Sequence, residues 1–154
     1  MIEIEADFSE MEEAAEALEA AAVEVREQIP TVMGKAVLVL EREAKVLAPV
    51  DTGRLRSSIA SEVRGAAMET VGVVGSNVEY APYVELGTKP HFPPYRPGTP
   101  LGRWAELHGV SAFAVALAIS RRGTKARKFL QGAFEHKRDE VVKLFVELVK
   151  RIEV

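Results

Sequence analysis

The sequence predicts an α+β fold: long N-terminal and C-terminal helices packed on a β hairpin or small antiparallel sheet, with a helical insertion ahead of the last helix. Three observations carry this. Apolar residues recur at steps of three and four through both ends of the chain, the spacing of one helix face. A short central stretch is rich in β-branched residues and roughly alternates in polarity, as strands do. Between that stretch and the last helix stand a proline-rich loop and two brief helical patterns. The chain has 154 residues, 47% hydrophobic and 28% charged. That is enough to bury roughly 70% of its unfolded surface as one domain over 1–154.

Ser9 and Glu12 fit a capping box at the start of the first helix, where paired side chains satisfy exposed N–H groups. Met11, Ala15, Leu18, Ala22, Val25 and Ile29 form a stripe with a coiled-coil-like period. Pro30 is expected to interrupt this helix and Thr31 to restart it, because proline removes a donor and crowds the preceding turn. Met33, Val37, Leu40, Ala44 and Leu47 carry the spacing on to Ala48, and Pro49 ends it. Ile59–Arg64 and Thr70–Gly75 are the expected strands, with Gly65-Ala66-Ala67 turning between them. A lone hairpin is marginal in water, so it must pack on helices or pair with another chain. Residues 79–86 read as a short helix stopped at Gly87, and 88–100 hold five prolines in an extended loop. Helical patterns at 101–109 and 111–121 break at Gly109 and Gly123. From about Ala126 to Val154 a long helix places Leu130, Phe134, Val141, Phe145, Leu148 and Ile152 on one face, interrupted by Arg138.

Composition excludes several function classes. There is no cysteine, which removes disulfides, thiolate metal sites and cysteine nucleophiles. No apolar run approaches the ~20 residues that span a bilayer, so no membrane partner is expected. The opening MIEIEADFSEMEEAAEALEA is acidic and lacks the basic and apolar regions of a cleaved leader, which predicts synthesis in a cytoplasm. The net charge of −3 conceals an asymmetry. Residues 1–28 hold ten acids and one base, residues 29–154 thirteen acids and nineteen bases. The acidic segment is either a solvated helix face or the complement of a neighbouring subunit's charge.

Asp51-Thr52-Gly53 is the tripeptide with which aspartic proteases present a carboxylate. Such an enzyme needs two aspartates close enough to share a proton. This chain holds one copy, after a helix rather than a strand. A structural role fits better: Asp51 or Thr52 caps a short turn over Gly53–Ser58, and Gly53 supplies backbone freedom. His91, His108 and His136 fall in different elements without metal-ligand spacing. No serine occupies a nucleophile elbow, and Gly72-Val73-Val74-Gly75 lacks the spacing of a phosphate loop. No catalytic group, metal or cofactor is therefore expected.

Arg121, Arg122, Lys125, Arg127 and Lys128 put five cations in eight residues. They read as a solvated loop, as contacts for phosphate, or as contacts for an acidic protein surface such as a neighbour's N-terminal segment. Residues 101–128 also admit a second function, a DNA-binding regulator. Its would-be recognition helix, SAFAVALAIS, is almost wholly apolar, whereas a base-reading helix needs polar side chains. Buried packing explains that helix better. Tyr80, Tyr83, Phe92, Tyr95 and Trp104 are half of the chain's ten aromatic residues. They line a pocket or interface, or they staple the loop to the core.

Three phrases together resemble one family. APVDTGRLRSSI, VGSNVEYAPYVELGT and KFLQGAFEHKRDE are similar to the tail-completion or neck proteins of long-tailed bacteriophages. In that family a helix leads into A-P-x-D-T-G-x-L-x-x-S and a hairpin follows. Y-A-x-x-V-E-[FL]-G-T comes next, and a final helix opens on a P-F-L-x-P-A-like phrase. Ala48–Ser58, Val78–Thr88 and Lys128–Phe134 match in order, with Lys128 and Gly132 standing where the family has prolines. The resemblance covers about residues 30–140, with 89–125 as a longer form of the family's central insertion.

The resemblance implies a structural virion protein without catalysis or cofactor, made in the host cytoplasm and residing in the tail or neck. It implies a ring at the head–tail junction or the upper end of the tail tube, hexameric in the virion, that joins the tail to the head connector. Connector or adaptor proteins and tail tube proteins are its expected partners, with non-specific proximity to DNA. Because such rings assemble on their partners, a monomer in isolation is compatible with this reading. The motif residues Asp51, Thr52, Gly53, Leu55, Tyr80, Tyr83, Glu85, Gly87 and Thr88 are the structural and interface candidates.

Overall fold

In a computed structural model, residues 9–151 are described, apart from the side chains at 9–12 and 14. The capping box expected at Ser9 and Glu12 and the stripe positions Met11 and Ile152 lie outside the described residues. The element order is α1 (Ser9–Leu47), α2 (Arg54–Ser58), β1 (Ile59–Arg64), a 3₁₀ turn (Ala67–Glu69), β2 (Val71–Ser76), α3 (Ala81–Leu86), α4 (Pro100–Leu107), α5 (Ala112–Arg122) and α6 (Phe129–Lys150). β1 and β2 pair as a two-stranded antiparallel sheet, and the architecture is α+β as the sequence predicts. Among the described residues no helix is long and apolar enough to cross a membrane.

α1 runs unbroken through Pro30, where the sequence predicts an interruption. Proline forfeits one backbone donor, but its fixed φ near −65° is itself helical. The buried face formed by Val32, Ala36 and Val37 directly after it outweighs that local loss. Further toward the N-terminus the expected stripe is not buried. Ala15 and Ala22 are exposed, Leu18 is 61% exposed, and only Val25 and Ile29 are half-buried.

The chain forms two compact units. One comprises α1 up to Val39, Ser61–Val73 and α6 from Lys137 onward; the other comprises Leu40–Ala60 and Val74–His136. In the first, Val32, Ala36, Val37 and Leu148 are buried. β2 approaches α1 at Gly72, where a Cβ would overlap Val37 Cγ1 and stand 2.7 Å from Met33 Sδ. A side chain there would have to push Val37 and Met33 aside. The hairpin turn is longer than expected: Gly65 adopts φ 77°, the 3₁₀ turn follows, and Thr70 Oγ1 closes it by donating to Ala67 O at 2.7 Å.

In the second unit, Ala44, Ala48, Leu55, Ile59, Val78, Ala81, Phe129 and Ala133 make one core. Phe129 and Ile59 are its largest fully buried side chains. The expected face of α6 is largely covered: Leu148 is buried and Leu130, Val141 and Phe145 are half-buried. Phe134 is 56% exposed, whereas Phe129 and Ala133 are buried. The helix starts at Phe129, not Ala126, because the N–H groups of Arg127 and Lys128 donate to Val84 O (2.9 Å) and Glu85 O (3.1 Å). Those two residues therefore extend along α3 instead of coiling.

The hairpin base is tied by a hydroxyl relay. Ser58 Oγ donates to Leu55 O at 2.8 Å, so its single proton is committed. Ser76 Oγ, 2.7 Å away, must then donate to Ser58 Oγ, and it accepts from Val78 N at 3.1 Å. Phe129→Ala is expected to cost about 3–5 kcal/mol through the cavity it leaves. Phe134→Ala is expected to cost under about 1 kcal/mol, since most of that side chain is already in water. Urea denaturation of the two variants checks the register of α6.

Candidate functional site

The first N–H groups of any α-helix lack intrahelical acceptors. In α6 they are met from a distant part of the chain. Glu85 Oε2 accepts from Leu130 N and Glu85 Oε1 accepts from Gln131 N, both at 2.9 Å. The carboxylate is thus forked over the start of the helix, where the peptide dipoles favour negative charge. α3 presents Glu85 in this direction because Pro82 opens the helix and Gly87 ends it.

Gly87 adopts φ 74°, and a Cβ there would overlap Thr124 O and stand 2.8 Å from Ala126 N. The next residue begins a clasp. Thr88 and Thr124 exchange both backbone hydrogen bonds at 3.2 Å in an isolated antiparallel bridge. Their hydroxyls lie 2.9 Å apart, and Thr88 Oγ1 also accepts from Thr124 N at 3.0 Å. On the other side Gly123 adopts φ 72°, and a Cβ there would overlap Thr88 O. Residues 89–123 therefore leave and return at one fixed point.

Lys128 has φ 49°, and its N–H donates to Glu85 O. A proline could satisfy neither condition. Its C=O accepts from Gly132 N at 2.7 Å, opening α6. At Gly132 a Cβ would meet Leu47 Cδ1 at 3.2 Å. Lysine and glycine at these two positions thus belong to one local geometry.

The Asp51-Thr52-Gly53 turn is built differently from the expected cap. Gly53, at φ 81°, is itself the N-cap of α2. Thr52 Oγ1 accepts from Arg54 N only at 3.4 Å, and Asp51 is exposed. The turn is set by glycine's left-handed backbone more than by a side-chain cap. Leu55 is buried in the core, and Arg56 Nη2 reaches Ala48 O at 3.5 Å.

Tyr80, Tyr83, Leu86, Leu101 and Ile119 form the apolar walls of a cleft of about 1110 Å³. Tyr83 and Leu86 are 62% and 76% exposed, far above what core packing would leave. The other aromatic residues of the loop do separate work. Phe92 and Tyr95 pack edge-on against each other and against Phe113 of α5, with ring centroids 5.5–6.4 Å apart. Trp104 stacks on His108 at 4.3 Å. α5 is less buried than its apolar sequence predicts: only Ala116 is buried, and Phe113 is 51% exposed.

Arg121, Arg122, Lys125, Arg127 and Lys128 are all exposed, and among the described residues none of them forms an ion pair. The three histidines are not brought together. His91 Nδ1 faces Lys89 O, His108 Nδ1 faces Trp104 O, and His136 Nδ1 lies 3.0 Å from Glu43 Oε1. Sequence reasoning missed Ser58, Ser76 and Thr124. The signal was available for the first two, since Ser58 closes one phrase that the family resemblance singled out and Ser76 stands near the start of the next.

Glu85, Gly87, Thr88, Gly123, Thr124 and Lys128 serve one purpose: they fasten one stretch of backbone to another. The fold they hold together is a small α+β one. Residues 10–87, just over half of the chain, match the family described as "Bacteriophage HK97-gp10, putative tail-component". The chain belongs to this family, and it is a structural protein related to bacteriophage tails. Comparison with curated proteins and with solved structures gives no match. The matched segment ends at Gly87, so α6, which Glu85 grips, lies beyond it.

Glu85→Ala is expected to lower stability by about 1–3 kcal/mol, the range for losing charge-assisted hydrogen bonds at a helix start. Faster amide exchange at Leu130 and Gln131 than elsewhere in α6 would locate the loss. Lys128→Gly is expected to gain up to about 1 kcal/mol by relieving the left-handed backbone. Lys128→Pro is expected to lose about 3 kcal/mol, and thermal denaturation distinguishes the two.

Proposed function

We propose that the chain is a ring-forming tail-completion protein of the virion, seated at the head–tail junction or the upper end of the tail tube. There it joins the tail to the head connector. The observation that carries this is the unfinished sheet. β1 and β2 pair only with each other among the described residues, and each leaves an outer edge open. Met68 and Val71 are 73% and 55% exposed beside them. A hairpin with open edges and exposed apolar side chains invites strands or faces from another chain. A heterologous contact repeated by rotation closes into a ring.

In this reading 1–154 is one domain with 89–125 as its insertion, six copies close the ring in the virion, and a monomer in isolation is compatible with it. Tyr80, Tyr83, Thr88, Asp51 and Thr52 face neighbouring copies or the connector, adaptor and tube proteins. Leu55, Gly53, Glu85 and Gly87 hold that surface in shape from within. The ring surrounds the DNA path without reading sequence, and no bond is made or broken by the protein. On α5 the exposed residues include Phe113, Ala114 and Ala118, a surface unsuited to base edges, which favours this reading over a DNA-binding regulator.

Cryo-electron microscopy of the assembled particle tests it. Density for this chain is expected as a closed ring between connector and tail tube. A particle in which other proteins account for every ring there would overturn the proposal. In a complemented phage, Tyr83→Arg is expected to leave separate heads and tails and lower the titre by at least about tenfold, as losing an interface anchor does. Asp51→Asn is expected to leave joining nearly intact.

A further inference from the structure

The cleft beside Tyr80 and Tyr83 has a composition that the ring alone does not explain. Its volume of about 1110 Å³ exceeds the ~300–1,000 Å³ of small-molecule pockets. Its walls are apolar, and the charged residues that line it are Lys89, Lys125 and Arg127; no carboxylate is among the lining residues. Arg121, Arg122 and Lys128 extend the positive charge beside it, exposed and without an ion pair among the described residues. An apolar lining whose charges are all cationic fits an extended segment with apolar side chains on one side and carboxylates on the other. A nucleic-acid duplex, its bases already stacked on one another, would leave the apolar lining unfilled.

The chain carries one such sequence. Residues 1–8 read MIEIEADF, with Ile2, Ile4, Ala6 and Phe8 alternating with Glu3, Glu5 and Asp7. In an extended segment that period of two puts the apolar residues on one face and the three carboxylates on the other. Fully extended, eight residues reach roughly 26 Å, a length suited to a groove and not to a point contact. We propose that residues 1–8 of one copy dock in this cleft of a neighbouring copy. Ile2, Ile4 and Phe8 would lie against Tyr80, Tyr83 and Leu86, and the acids would meet Lys89, Lys125 and Arg127. The cleft is thereby completed by a partner copy, and each arm ties one subunit to the next. This deepens the ring reading and rests on it.

The test uses the full chain carrying Ile2→Ser, Ile4→Ser and Phe8→Ser as receptor, so that its own arms do not compete. A fluorescein-labelled peptide of residues 1–10 is titrated against it by anisotropy. Saturable binding is expected, at least about tenfold weaker when Lys125→Glu and Arg127→Glu are introduced, and weaker at raised salt. A peptide with Glu3, Glu5 and Asp7 replaced by lysine is expected to bind the charge-reversed cleft and not the original one. Circular dichroism confirms that each receptor is folded.

No binding of the natural peptide, or binding indifferent to Lys125 and Arg127, overturns the proposal. So does competition by duplex DNA at equal concentration, which would assign the surface to phosphate. Failure here with a ring present in the particle sinks only the arm. Absence of the ring from the particle, with the peptide still bound, sinks only the ring.

Discussion

Much of the organisation in the second unit hangs on the carboxylate of Glu85. It takes both of its hydrogen bonds from the start of α6, forty-five residues further on. A helix start stripped of acceptors is expensive to bury, and here one side chain supplies two. The consequence is geometric as well as energetic. With the carboxylate fixed, Arg127 and Lys128 are drawn alongside α3, and Phe129 becomes the first helical residue. That places its ring in the core with Ile59 and Leu55. The exposed surface of α3, with Tyr80 and Tyr83, is held by the same grip.

Small residues complete the arrangement where backbones come close. Gly87 and Gly123 both have positive φ, and each faces a carbonyl of the other's strand segment. The threonines beside them satisfy each other's main chain and hydroxyls. The serine relay from Val78 through Ser76 and Ser58 to Leu55 works in the same way at the hairpin base. At the hairpin base, where the serines are part-buried, an unsatisfied polar group is thereby avoided.

The sequence made the class and element order legible, because periods of 3.6 and 2 report which faces are apolar. It also carried the family through phrases whose glycines and acids have backbone roles. Three features were hidden. Pro30 reads as a break, yet the packing of Val32, Ala36 and Val37 sustains the helix through it, and that packing is tertiary. The start of α6 lies about three residues later than expected because it is set by Glu85, a partner that local periodicity cannot reveal. The apolar run of α5 looks like a core helix, and composition alone does not tell a buried face from one left open for a neighbour. Glu85 was singled out as a motif residue, but its role needed the fold to bring it to Leu130 and Gln131.

The Thr88–Thr124 clasp has a further meaning for how such a chain can vary. Because the segment between those positions begins and ends at one sealed neck, its length is decoupled from the framework. Doubling a loop's length costs only about 0.6 kcal/mol in closure entropy. A change in the excursion's length therefore costs the framework little at this point, and α3 and α6 can keep their places.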